Sequence, residues 1–196
     1  MVRLGFMIKD HKDCEIFRDF YYHLFERINF EFTEETGEKL KEYKDYEPDL
    51  LITFCEKYLD EKDVINQMAK MLSNLIILQA LPNANHRTAF RFIDLYLGFV
   101  CGDNMKTYLE EKELYEAFYS DSKRIVDLDI NHEHIFDYSY HNAHHSMGIK
   151  DHLKHSKELL EKIVSTQSGM IEAVPFHLFI TSLYQEGSSL NQRGSS

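Results

Sequence analysis

Between two apolar runs of this 196-residue chain lies a short polar stretch, Gln79-Ala80-Leu81-Pro82-Asn83-Ala84-Asn85-His86-Arg87-Thr88. Pro82 and its asparagine neighbours break one helical pattern, and another resumes at Ala89. Asn85 belongs to the residue types that cap helix starts. With Asn85 as cap, the backbone N–H groups of His86, Arg87 and Thr88 have no intrahelical acceptor and lie at the positive end of a helix dipole. Such an end attracts anions. Arg87 adds a planar fork that suits two phosphate oxygens, and Thr88 adds a hydroxyl. Gln79 follows Leu75 at i+4, so it sits on the inner face of the preceding helix, aimed at the loop. The plainer alternative is a tight interhelical turn, with Asn85 as its cap and Arg87 in a surface ion pair.

The stretch resembles the signature of the Fic/Doc (Fido) family, His-Pro-Phe-x-Asp/Glu-Gly-Asn-Gly/Lys-Arg, often continued by Thr-Ala. Asn85, Arg87, Thr88 and Ala89 match outright, and Leu81 keeps an apolar residue where the family has Phe. Val100-Cys101-Gly102 stands where the family often has an apolar-Asn-Gly ending, so the resemblance runs from Leu50 to Leu114. It implies a Fic/Doc-like helical bundle that binds ATP or another nucleotide with magnesium and transfers AMP or phosphate to a hydroxyl of a target protein. Asn83, Ala84, Asn85, His86, Arg87 and Thr88 are then the nucleotide- or phosphate-binding residues. Gln79 takes the position of the catalytic His, and an amide has no titrating group to serve as a base. Asn83 replaces the metal-holding acid with a weaker, neutral ligand. Ala84 replaces a Gly and adds a methyl. Loss of a base costs about 10²–10⁴-fold in rate, so the expectation is retained phosphate affinity with reduced or absent transfer. An active enzyme using another base, with His86 as the stand-in, is one alternative. A non-catalytic helical regulatory or binding protein is a second.

A second concentration of chemistry is His132, His134, His141, His144, His145, His152 and His155. The pairs His141 with His144 or His145, and His152 with His155, have helical spacing for chelating zinc or nickel. No HExxH and no adjacent His-Asp occurs, so the favoured reading is a solvated loop and helix face, and a metalloprotein is the last alternative. Ser168 to Glu172 fits five of six positions of an inhibitory pattern found in some Fic proteins, but Ala173 misses the sixth.

The elements that must hold the loop read as helices, and the fold class is all-α, with room for an N-terminal strand at Leu4 to Ile8 or a short β-hairpin. Phe17, Phe20, Tyr21, Leu24, Phe25 and Ile28 form one helical stripe. Thr33 to Glu47 reads as a solvated loop or short helix. Pro48 opens a helix whose inner face is Leu50, Leu51, Phe54, Cys55, Tyr58 and Leu59. Val64 to Ile76 carries a third stripe, and Ala89 to Val100 is apolar nearly all round, as in a central helix. Glu111 to Phe118 and Ile149 to Val164 read as further helices, the latter amphipathic. The expected division is a Fic/Doc-like domain over 1–120, a His-rich loop with C-terminal helices over 121–187, and a disordered tail over 188–196.

Eight Gly and three Pro suit helices, and 43% hydrophobic residues can form a core. The formal charge of −11 disfavours nucleic acid and anionic membranes as general partners. Nucleotide and a target protein are the expected partners, with a homo-oligomer left open. Cys14, Cys55 and Cys101 lie far apart without a CxxC, which argues against a disulfide framework and for a reducing, cytoplasmic location. The N-terminal apolar run is short for a secretory signal, and no apolar stretch approaches bilayer length.

Overall fold

A computed structural model of the chain describes residues 11–58, 64–101, 116–124 and 147–165. The fold is all-α, and no strand occurs among the described residues. The segments read as an N-terminal strand, as the charged break at 60–63, as most of the His-rich loop and as the C-terminal tail lie outside them. The helices are α1 (His11–Thr36), α2 (Pro48–Tyr58), α3 (Val64–Ile77), α4 (Asn85–Cys101), α5 (residues 116–124) and α6 (Met147–Ser165).

α1 is longer than its apolar stripe suggests, because the helix continues through Thr33 to Thr36. It stops at Gly37, whose φ of +75° is a conformation that side chains resist. The Gly37 N–H bonds to the Thr33 carbonyl at 2.8 Å and closes the last turn. Residues 37–47 are irregular but tethered. Asn29 Oδ1 accepts from the Leu40 N–H at 3.1 Å, and the Tyr46 ring stacks on Tyr22 with centroids 4.3 Å apart. Pro48 then opens α2, as expected of a residue without an N–H.

The core lies where α1, α2 and α4 meet. Phe17 is fully buried, and its ring lies 5.5 Å from Phe92 and 6.0 Å from Phe54. Tyr21 meets Phe92 at 6.0 Å. These tilted and edge-on pairs are the arrangements aromatic quadrupoles favour. α3 packs on α2, α4 and α6. Its buried Met68, Met71, Leu72, Leu75 and Ile76 follow the expected stripe.

Cys14 of α1 and Cys55 of α2 are buried and joined as a disulfide, with Cα atoms 5.4 Å apart. This corrects the expectation drawn from cysteine spacing. The bond spans 41 residues and depends on the packing of two helices, which no local motif announces. It also removes the cysteine argument for a reducing compartment. Among the described residues no helix is long and apolar enough to cross a membrane.

Candidate functional site

α3 ends at Ile77, and the chain turns through Leu78 to Ala84 before α4 begins. Two non-glycine residues in the turn have left-handed backbones, Gln79 at φ +51° and Ala84 at φ +55°. Strain of this kind persists only where neighbours hold it. Here the neighbour is the 37–47 connector. The Tyr43 N–H donates to the Pro82 carbonyl at 3.1 Å, and the Glu47 N–H donates to the Ala80 carbonyl at 2.9 Å. Asn83 Nδ2 donates to the Lys41 carbonyl at 2.7 Å. The acidic, lysine-rich segment read as a solvated loop is therefore a clamp on the turn.

Asn85 does not cap α4 with its side chain. Its amide folds back on the turn, accepting from the Leu81 N–H at 3.0 Å and donating to the Leu81 carbonyl at 3.1 Å. It also donates to Gln79 Oε1 at 3.4 Å. The Asn85 residue is buried, so this paired bond replaces solvent for a turn that has lost its helical partners. Gln79 Nε2 turns back to the Ile76 carbonyl at 2.5 Å. Asn83 Oδ1 accepts from the Ala84 N–H at 2.5 Å.

The first intrahelical bond of α4 runs from the Thr88 N–H to the Ala84 carbonyl at 2.9 Å, and the Thr88 hydroxyl donates to the same oxygen at 3.0 Å. The amides left over are thus those of Asn85, His86 and Arg87, one residue earlier than the capping rule placed them. Among the described residues they have no acceptor. Arg87 is exposed and has no hydrogen-bond or ion-pair partner among the described residues. Thr88 is fully buried.

The structure thus brings Gln79 and Asn85 together, with their amides turned onto the backbone of their own turn, while Asn83 ties that turn to the Lys41 carbonyl of the connector. His86 leaves the group. Its imidazole points inward, where Nε2 is 2.9 Å from Ser122 Oγ of α5 and the ring meets the edge of Tyr119 at 5.0 Å. Burial, with Lys123 nearby, pushes its pKa down to about 4. The His86 side chain, expected among the phosphate-binding residues, thus turns away from the start of α4 and toward α5.

Behind His86 lies a network that sequence reasoning missed. Ser122 Oγ is 2.6 Å from His152 Nε2, and His152 Nδ1 is 2.8 Å from Ser73 Oγ of α3. Ser73, Ser122 and His152 are all buried. The Ser156 hydroxyl donates to the His152 carbonyl at 2.8 Å, and the Phe118 ring closes the flank of His152 at 5.8 Å. Burial is the main cause holding the His152 pKa down at about 3, with His86 and His155 adding repulsion. The order hydroxyl, imidazole, hydroxyl is that of an activated nucleophile with its base. Ser122 is 1% exposed, however, so no substrate reaches it in this conformation. His152 is therefore neither on a solvated face nor paired with His155 for a metal. His155 instead lies 3.7 Å from Glu158, lining a shallow groove with Asp121 and Lys162. Among the described residues no three His, Cys, Asp or Glu are placed to hold a metal. His141 and His145 lie outside those residues.

One signal for this network was present in the sequence. In α6 the buried positions are 152, 156, 159, 160 and 163, a single 3.6-period stripe that begins with His152 and Ser156.

The whole arrangement from α1 to the first turns of α6 falls within residues 10–155, which match a family of unknown function, DUF8172. The chain belongs to that family. The DUF8172 span includes the 79–88 turn together with Ser73, Ser122 and His152. No curated protein matches the chain, and no solved structure matches it.

Proposed function

We propose that this chain is a Fic/Doc-like protein that holds a phosphate-bearing nucleotide at the start of α4 and has reduced or no capacity to transfer AMP or phosphate from it. The observation that carries this reading is the trio of amides at Asn85, His86 and Arg87 that have no acceptor among the described residues, on the same first turn as the exposed Arg87. The backbone supports it further. Ala84 stands where the resembled signature has Gly, and its φ of +55° is the conformation that favours Gly. The loss of transfer follows from Gln79, an amide tied to the Ile76 carbonyl at the position of the family's base.

Calorimetric titration with ATP, ADP, AMP and inorganic phosphate, with and without magnesium, tests the reading. Binding in the micromolar-to-millimolar range is expected. Arg87→Ala should weaken it by roughly 10-fold or more, while leaving the urea midpoint unchanged. An absence of heat at millimolar ligand removes the proposal. Incubation with labelled ATP and candidate targets separates a binder from an enzyme, and incorporation that survives Arg87→Ala comes from another site.

A second reading rests on a different observation. The side-chain amides of Gln79, Asn83 and Asn85 all brace the turn. A non-catalytic helical binding protein needs nothing more from them. Partner capture that is insensitive to Arg87→Ala supports it.

A further inference from the structure

The His86–Ser122–His152–Ser73 relay joins four helices, α4, α5, α6 and α3, through three buried side chains and the partly buried His86. Its proton inventory closes when both imidazoles are neutral. With Ser73 donating to His152 Nδ1, His152 Nε2–H donates to Ser122, and the Ser122 hydroxyl donates to His86 Nε2. The reverse direction is equally complete, with each ring offering one donor and one acceptor. One extra proton on His152 keeps every hydrogen bond but places a charge in the core. A second proton, on His86, makes Ser122 accept from both rings and leaves its own hydrogen without an acceptor in the relay.

Among the described residues the surroundings offer no compensation. Lys123 of α5 bears on His86, and His86 with His155 bears on His152, all disfavouring a proton. α3 presents Ser73, a neutral hydroxyl. The Tyr119 and Phe118 rings meet the two imidazoles edge-on. Asp121 and Glu158 line the outer groove with His155 instead.

We propose that this relay is an acid-operated latch, which holds α6 against α3, α4 and α5 while both imidazoles are neutral and releases it when they take up protons. Released rings meet water and titrate as ordinary histidines near pH 6.5. Below that pH, each proton that only the released state binds raises the released-to-latched ratio about tenfold per pH unit. Two histidines acting together raise it about a hundredfold per unit, so a latch closed a thousand to one at neutral pH opens at about pH 5.

Hydrogen exchange of α6 amides, corrected for intrinsic pH dependence, reads this directly. Below pH 6.5 the protection of α6 should fall about a hundredfold per unit until the latch is open, before that of α1 and α2 falls. His152→Gln keeps a donor and an acceptor but cannot titrate, and should reduce the fall to about tenfold per unit. His86→Gln, at a less buried position, should do the same and serves if the His152 variant does not fold. Nitrogen-detected spectra of the two rings should show neutral tautomers for as long as α6 stays protected. The latch is overturned by α6 protection that does not change down to pH 4.5, by the same slope in either variant, or by a ring that takes its proton near pH 6.5 with α6 still in place.

Discussion

At the scale of single residues, Asn85 separates two roles that sequence alone does not distinguish. A capping Asn accepts from amides further along its helix, and Asp replaces it well there. The Asn85 amide instead pairs with both the N–H and the carbonyl of Leu81. Asn85→Ala should therefore strand two buried backbone groups and lower stability by about 2–4 kcal/mol. Asn85→Asp should be nearly as damaging, because a carboxylate can accept from the N–H but repels the carbonyl. Urea unfolding of the two variants decides between bracing and capping, and a harmless Asp favours the cap. Ala84 gives the opposite prediction. Ala84→Gly removes a methyl from a left-handed residue and should raise stability by about 1 kcal/mol. The position of the turn was legible from Pro82 and its asparagines, since breakers act locally. The direction of each side chain was not, because Asn83 and Asn85 answer to Lys41 and Leu81, and those partners appear only once the chain has folded.

At the scale of elements, the helical stripes were legible because burial imposes a 3.6-residue period on the sequence itself. The stripes of α1, α3 and α4 follow from that rule, and the start of α2 follows from Pro48, which has no N–H to satisfy. What escaped was every feature set by one element lying against another. The 37–47 segment has the composition of a solvated loop, yet its N–H groups pair with the 80–82 carbonyls. His152 was read with the exposed histidines because its neighbours in sequence are polar, although the α6 stripe already placed it inside. The Cys14–Cys55 bond likewise depends on α1 lying against α2. Closing a loop of this length stabilises a fold by roughly 4 kcal/mol in the chain-entropy account. Reductant should therefore lower the urea midpoint markedly and steepen the unfolding slope, because the reduced chain unfolds to a less compact state. Alkylation of the denatured chain should label only Cys101 before reduction and all three cysteines after it. Labelling of all three without reductant would mean that the bond does not form in solution.

At the scale of the whole molecule, buried titratable groups frame stability from both sides of neutral pH. His86 and His152 have folded pKa values lowered to about 4 and about 3, against 6.5 in the unfolded chain. Below pH 6.5 the unfolded state binds more protons, so stability is fully present above that value and declines as pH falls. The decline is about 1.4 kcal/mol per pH unit for each ring, or roughly 4 kcal/mol for the pair at pH 5. That is a large share of the stability of a typical domain. On the other side stand Tyr21 and Tyr46, whose buried hydroxyls have no hydrogen-bond partner among the described residues. Burial raises the Tyr21 pKa well above 10 and pushes that of Tyr46 up to about 12. Their contribution is complete below pH 10 and is lost as pH rises, since the unfolded chain gives up its phenolic protons first. Urea midpoints measured from pH 4.5 to 11 should form a plateau bounded near 6.5 and 10. Tyr21→Phe should soften the alkaline fall, leave the acid fall intact, and stabilise the plateau slightly, because it removes an unpaired buried hydroxyl. His152→Gln should do the reverse, softening only the acid fall. Were Tyr21→Phe to destabilise the plateau by 1 kcal/mol or more, its hydroxyl would have a partner in solution, and the alkaline half of this account would fail while the acid half stood.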